Sequence, residues 1–163
     1  MLKERLKEDL KSAMKSGDSE RRSVIGMILA AIQSKEIEKR TALSKSTSDV
    51  SELETKSKLS DEDVVSVIQT EVKKRKESAE TFEKGGRPEL AEGERKEITI
   101  LMAYLPEQMT EDKVKQEVIA AISETGASSI KDIGKVMSAV MEKVKGRTDG
   151  QTVSRLAKEV LAK

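Results

Sequence analysis

Apolar residues recur at intervals of three and four along almost the whole chain, and no stretch alternates apolar with polar. Only an α-helix brings positions at that spacing onto one face. The two prolines, Pro88 and Pro106, fall where one helical pattern opens and where it ends. The chain therefore reads as all-α.

The first helical stripe is Leu2, Leu6, Leu10 and Ala13/Met14, and Gly17 closes it as a left-handed cap. Asp18 or Ser19 caps a second helix that carries Val24, Ile25, Ile28, Leu29 and Ile32 and ends in a charged stretch. Residues 41–59 are rich in Ser and Thr and show no consistent apolar stripe. They read as a polar, mobile connection, with partial helix as the alternative because the stretch lacks Gly and Pro. Ser60 with its following acids starts a helix bearing Val64, Ile68, Val72, Arg75, Ala79 and Phe82, stopped by Gly85-Gly86. Pro88 opens the next, with Leu90, Ile98, Leu101, Met102 and Leu105.

So short a connection implies an antiparallel helical hairpin. Centring its turn at Gly86 sets Phe82 against Leu90, Ile68 near Tyr104, and Arg75 opposite Glu97. Arg75, with Glu71 and Glu97, then becomes a structural ion pair on an otherwise apolar seam.

Beyond Pro106 three more helices follow. Their stripes are Val114, Val118, Ala121, Ile122; then Ile130, Ile133, Met137, Val140, Met141, Val144; then Val153, Leu156, Val160, Leu161. Gly126 and Gly146 stop the first two. Thr110, Ser129 with Asp132, and Thr148 with Gln151 or Asp149 are the caps. The expectation is two helical bundles: four helices over 1–105, with the polar connection 41–59, and three over 106–163.

Composition excludes much of the chemistry such a scaffold could carry. There is no His, no Cys and no Trp, one Phe and one Tyr. Histidine-based triads, cysteine nucleophiles, zinc sites and disulfides are out of reach. Two aromatic rings cannot build the stacking platforms of single-strand binders. The net charge of +1 draws in neither nucleic acid nor membrane as a whole, so a charged partner must meet a local patch. No apolar run approaches a membrane span, and the charged amino-terminal stretch has no secretory h-region. The cytoplasm is the expected location, with no membrane, metal or cofactor partner.

Three places invite functional readings. Gly134-Lys135 is followed by Val136 and lacks the preceding Gly of a phosphate-binding loop. Lys73-Lys74-Arg75-Lys76 is a basic run, but on a helix it points around the whole circumference, with Glu71, Glu77 and Glu80 beside it. The stretch 129–147 is cleaner: Lys131, Lys135, Lys143, Lys145 and Arg147 against Asp132 and Glu142, and five against two leaves +3. Lys131 and Lys135 lie one turn apart, and Arg147 sits between Gly146 and Gly150 beside a helix start, which can hold phosphate. The structural reading of the same residues is cations at a helix carboxyl end and an ordinary turn. Four or five phosphate contacts correspond to a log–log salt slope of roughly −3 to −4.5.

Four segments together resemble the YqeY family: EVKKRKES (Glu71 to Ser78), YLPEQ (Tyr104 to Gln108), TGASSIKDIGKVM (Thr125 to Met137) and KGRTDG (Lys145 to Gly150). That family is similar to the carboxyl-terminal tail of GatB, a subunit of the tRNA-dependent amidotransferase. The resemblance covers nearly the whole chain, although 41–59 looks longer than the family's usual connection. It implies a four-helix and a three-helix bundle, a bacterial cytoplasmic protein, and contact with the tRNA body through Lys131, Lys135, Lys145 and Arg147. Amidation chemistry resides in other parts of the amidotransferase, which this chain does not resemble. The function expected is thus a non-catalytic module that contacts tRNA by backbone and shape. A protein-interaction adaptor and an accessory to carbon–nitrogen ligase activity are the other two readings.

Overall fold

The computed structural model describes residues 1–162, and these contain helices and turns but no strand. The elements are α1 (Leu2–Ser16), α2 (Ser19–Leu43), α3 (Val50–Lys56), α4 (Asp61–Lys84), α5 (Pro88–Met102), α6 (Glu111–Thr125), a 3-10 turn (Ile130–Asp132), α7 (Ile133–Lys143) and α8 (Gly150–Leu161). Their contacts divide the chain into two compact units, Met1–Tyr104 and Leu105 onward.

In the first unit α4 and α5 form a closely packed hairpin, α1 packs on α2, and α2 also meets α4 and α5. Leu6, Val24, Ile25, Ile28, Ile32, Val64, Ile68 and Leu101 are fully buried between them. Each contributes about 1.5–3 kcal/mol by leaving water. Local chemistry sets the boundaries. The Asp18 carboxylate accepts from the Arg21 N–H at 3.0 Å and starts α2. Ser60 and Asp63 exchange side-chain and backbone hydrogen bonds in a complete capping box at α4. At α1 the cap comes from elsewhere in the chain: the Leu2 N–H donates to Asp61 Oδ1 at 2.8 Å.

Two expectations are corrected. The connection expected over 41–59 carries structure. α2 continues to Leu43, and α3 follows after a turn, so five helices precede Pro106 rather than four. Asp49 starts α3 by accepting from the Ser51 and Glu52 N–H groups, while Leu53 is its single buried residue. One anchor in seven residues shows no period, which is why the stripe was invisible. The chain beyond α3 is held by Glu36, whose carboxylate accepts from Lys3 Nζ at 2.5 Å and from the Leu59 N–H at 3.3 Å. In α5, Leu90 is 42% exposed and Ala91 is fully buried in its place. Measured from Leu101, Leu90 lies about 20° around the ideal helix axis and Ala91 about 80°, so the helical period favours Leu90 and packing selects Ala91 instead.

In the second unit α6, α7 and α8 pack mutually. The buried core is Val114, Val118, Ala121, Val136, Val140, Val144, Val153, Leu156 and Ala157, and Ile122, Ile133, Met137, Met141, Val160 and Leu161 pack around it. Small and β-branched side chains at these positions let the three helices approach closely. Gly126, with φ of 64°, ends α6, and its N–H and that of Ala127 both reach the Ile122 carbonyl. No helix among the described residues is long and apolar enough to cross a membrane.

Candidate nucleic-acid interface on the second unit

The five cations of 129–147 fall into two groups. Lys131 lies in the 3-10 turn and Lys135 in the first turn of α7, both exposed. Lys143 ends α7, while Lys145 and Arg147 occupy the turn that follows. Lys135 and Lys143 are eight residues apart, about 12 Å along the axis. The electrostatic state of each differs.

Lys131 makes no ion pair among the described residues. Lys135 has a 72% exposed side chain, and its ammonium stays 3.8 Å from Asp132 Oδ1. Asp132 is occupied by the turn: its carboxylate accepts from the Ser128 N–H at 3.2 Å and from Ser129 Oγ at 3.4 Å. The Ser128 N–H is the main reason this carboxyl sits below its ordinary value. Lys143 is committed differently. Its Nζ lies 2.7 Å from both carboxylate oxygens of Glu124 on α6. That hydrogen bond holds the ammonium above its ordinary value, and Lys143 ties α7 to α6. That pairing draws Lys143 away from an incoming phosphate.

Arg147 is exposed, and its Nε–H donates to the Glu107 carbonyl at 3.4 Å. The turn beneath it is tightly held. Gly146 is buried with φ of 74°, a left-handed conformation that disfavours a side chain. The Gly146 carbonyl accepts from Gln108 Nε2 at 2.8 Å, and the Arg147 carbonyl accepts from the Met109 N–H at 2.7 Å. YLPEQ and KGRTDG thus meet in space. Periodicity offers no signal for this contact, because residues 106–109 lie outside any helix. The start of α8 is already occupied: Asp149 accepts from the Thr152 N–H at 2.8 Å, so a carboxylate stands where a phosphate would bind.

The other candidates are absorbed by the first unit. Arg75 is 7% exposed, its Nε–H donates to Glu97 Oε2 at 2.8 Å, and Nη1 reaches Glu71 Oε2 at 3.0 Å. Burial alone would raise the Glu71 carboxyl, but hydrogen bonds from Lys74 and Arg75 outweigh it and leave the group below its ordinary value. Such a carboxylate stays ionised, the opposite of a general acid. Lys74 pairs with Glu71 at 2.6 Å and Lys73 approaches Glu77 at 3.8 Å, so the basic run does not present four cations to one partner. The lone Tyr104 is buried, with its hydroxyl donating to Asp9 Oδ2 at 2.6 Å and the Arg5 guanidinium 5.1 Å from the ring centre. Burial first, and Asp9 second, hold that hydroxyl protonated.

Fold and surface define a small all-α protein of two helical units, the second of which carries a group of exposed cations over 131–147. The chain matches the family described as Yqey-like protein over residues 3–161, nearly its whole length, and belongs to that family. No curated protein matches it.

Proposed function

We propose that this chain is a non-catalytic cytoplasmic module that contacts tRNA by backbone and shape through its second unit. One observation carries the reading: Lys131, Lys135 and Arg147 are exposed, and none has an ion pair closer than 3.8 Å among the described residues. The unit that bears them contains no aromatic ring, since Phe82 and Tyr104 both belong to the first. Without stacking rings, the exposed cations favour recognition by phosphate charge and helix shape. Lys145 adds a fourth exposed cation in the same turn as Arg147. Lys143 contributes less, because binding RNA through it means first breaking its bond to Glu124.

The test is titration of bulk tRNA over a salt series. Four contacts give a log–log slope of about −3. Lys131→Glu with Lys135→Glu should weaken binding and flatten that slope by at least one. An unchanged affinity and slope in this variant removes the proposal. Recovery of a protein partner without RNA from cells would favour an adaptor. Glutamine- or ATP-dependent turnover by the purified chain would favour the ligase-associated reading.

A further inference from the structure

We infer that Gln108 is a positioning residue for Arg147: its side-chain amide holds the 145–147 turn in the shape that presents Arg147 to an RNA phosphate. The inference rests on the tRNA reading above and adds the residue that makes the site pre-formed.

An amide NH2 has two donors, and Gln108 uses both. Nε2 reaches the Pro106 carbonyl at 2.8 Å and the Gly146 carbonyl at 2.8 Å. Gly146 lies past the end of α7, where carbonyls have lost their intrahelical partners. Because Gly146 is buried, water is a poor substitute, and losing the amide leaves an acceptor unsatisfied. On either side of Gln108 the same two strands of chain are joined again: Met109 N–H to the Arg147 carbonyl, and Arg147 Nε–H to the Glu107 carbonyl. The Arg147 N–H is itself engaged with the Val144 carbonyl at 2.8 Å. The backbone on which Arg147 stands is therefore fixed by residues 107–109, and Gln108 supplies the only side chain in that set.

Chemistry explains the residue type. Glutamate would offer only acceptors to two carbonyls and would place a negative charge beside Arg147. Asparagine, one methylene shorter, cannot reach both oxygens from the same backbone. Holding the turn before RNA arrives removes the ordering cost that a loose Arg147 would incur on binding.

The experiment uses the full chain and bulk tRNA at 50–200 mM salt, with Gln108→Ala, Arg147→Ala and the double variant, beside amide exchange at Met109 without RNA. Arg147→Ala should cost about tenfold in affinity at 50 mM salt and flatten the slope by about 0.8. Gln108→Ala should cost about threefold, part of the same contact. It should add nothing in the Arg147→Ala background, because both changes remove one contact. Met109 exchange should accelerate in Gln108→Ala. Independent, additive losses overturn the proposal, as does an unchanged Met109 exchange rate. If Gln108→Ala unfolds the unit, Gln108→Met keeps the side-chain length without a donor or a charge and makes the same predictions. Failure of the tRNA reading is recognised separately: the wild-type chain then shows no salt-dependent tRNA binding, and both ideas fall together.

Discussion

Arg75 and Glu97 face each other across the α4–α5 hairpin, with Nε 2.8 Å from Oε2 and the Arg75 side chain only 9% exposed. Glu71 completes the group from one turn away on α4, and Met27 Sδ of α2 lies 3.8 Å from Nη2. One guanidinium thus joins three helices.

Glu97→Gln should destabilise the chain by about 2 kcal/mol, less than for a fully buried pair because Glu97 remains 30% exposed. Arg75→Met should cost less than the Glu97→Gln change, since it removes the buried charge and leaves carboxylates that can hydrate. Urea unfolding of both variants and of the double variant measures the coupling.

Acidification should weaken the first unit. The Glu36 carboxyl would rise through burial, but Lys3 and the Leu59 N–H pull it below its ordinary value. Glu71 behaves alike under Lys74 and Arg75. A carboxyl depressed by folding stabilises the native state above its unfolded pKa, about 4.3, and that contribution disappears as pH falls through the native value. Stability should therefore decline below about pH 4.3. Glu36→Gln should show a shallower decline in urea midpoints measured from pH 7 to pH 3.

Leu53→Ala should release α3 without unfolding the rest. Leu53 is the one buried residue of that helix, and its truncation costs about 2 kcal/mol at most, given its position at the edge of the core. Amide exchange over residues 50–56 should accelerate while amides of α4 keep their protection.

Gly126→Ala and Gly93→Ala should have opposite signs. A Cβ meets nothing within 4 Å at either position. Gly126 has φ of 64°, so alanine there is strained and costs about 1 kcal/mol. Gly93 is an interior residue of α5, where alanine gains about 0.5–1 kcal/mol from helix propensity. Thermal melts of the two variants decide the matter.

What could be read from the sequence follows from range. The stripe of Val64, Ile68, Val72 and Ala79 repeats within one helix, and capping by Asp18 or Ser60 involves residues three apart. Leu90 shows the limit: one residue from Ala91, it belongs to the same local pattern, and only packing chose between them. At the start of α8 the sequence offered Thr148 and Asp149 together as caps, and the fold placed the Asp149 carboxylate on the Thr152 N–H.

By itself the sequence determined that this chain is helical, where most of its helices begin and end, and which chemistries it lacks. Those properties depend on the 3.6-residue period, on caps within one turn, and on residue types that are simply present or absent. Tertiary structure alone decided which cations remain available. Lys143 meets Glu124 across 19 residues of chain, and Gln108 meets Gly146 across 38. Charge and hydrogen-bonding capacity are written in the sequence, but whether a partner already satisfies them depends on what folding brings within about 3 Å.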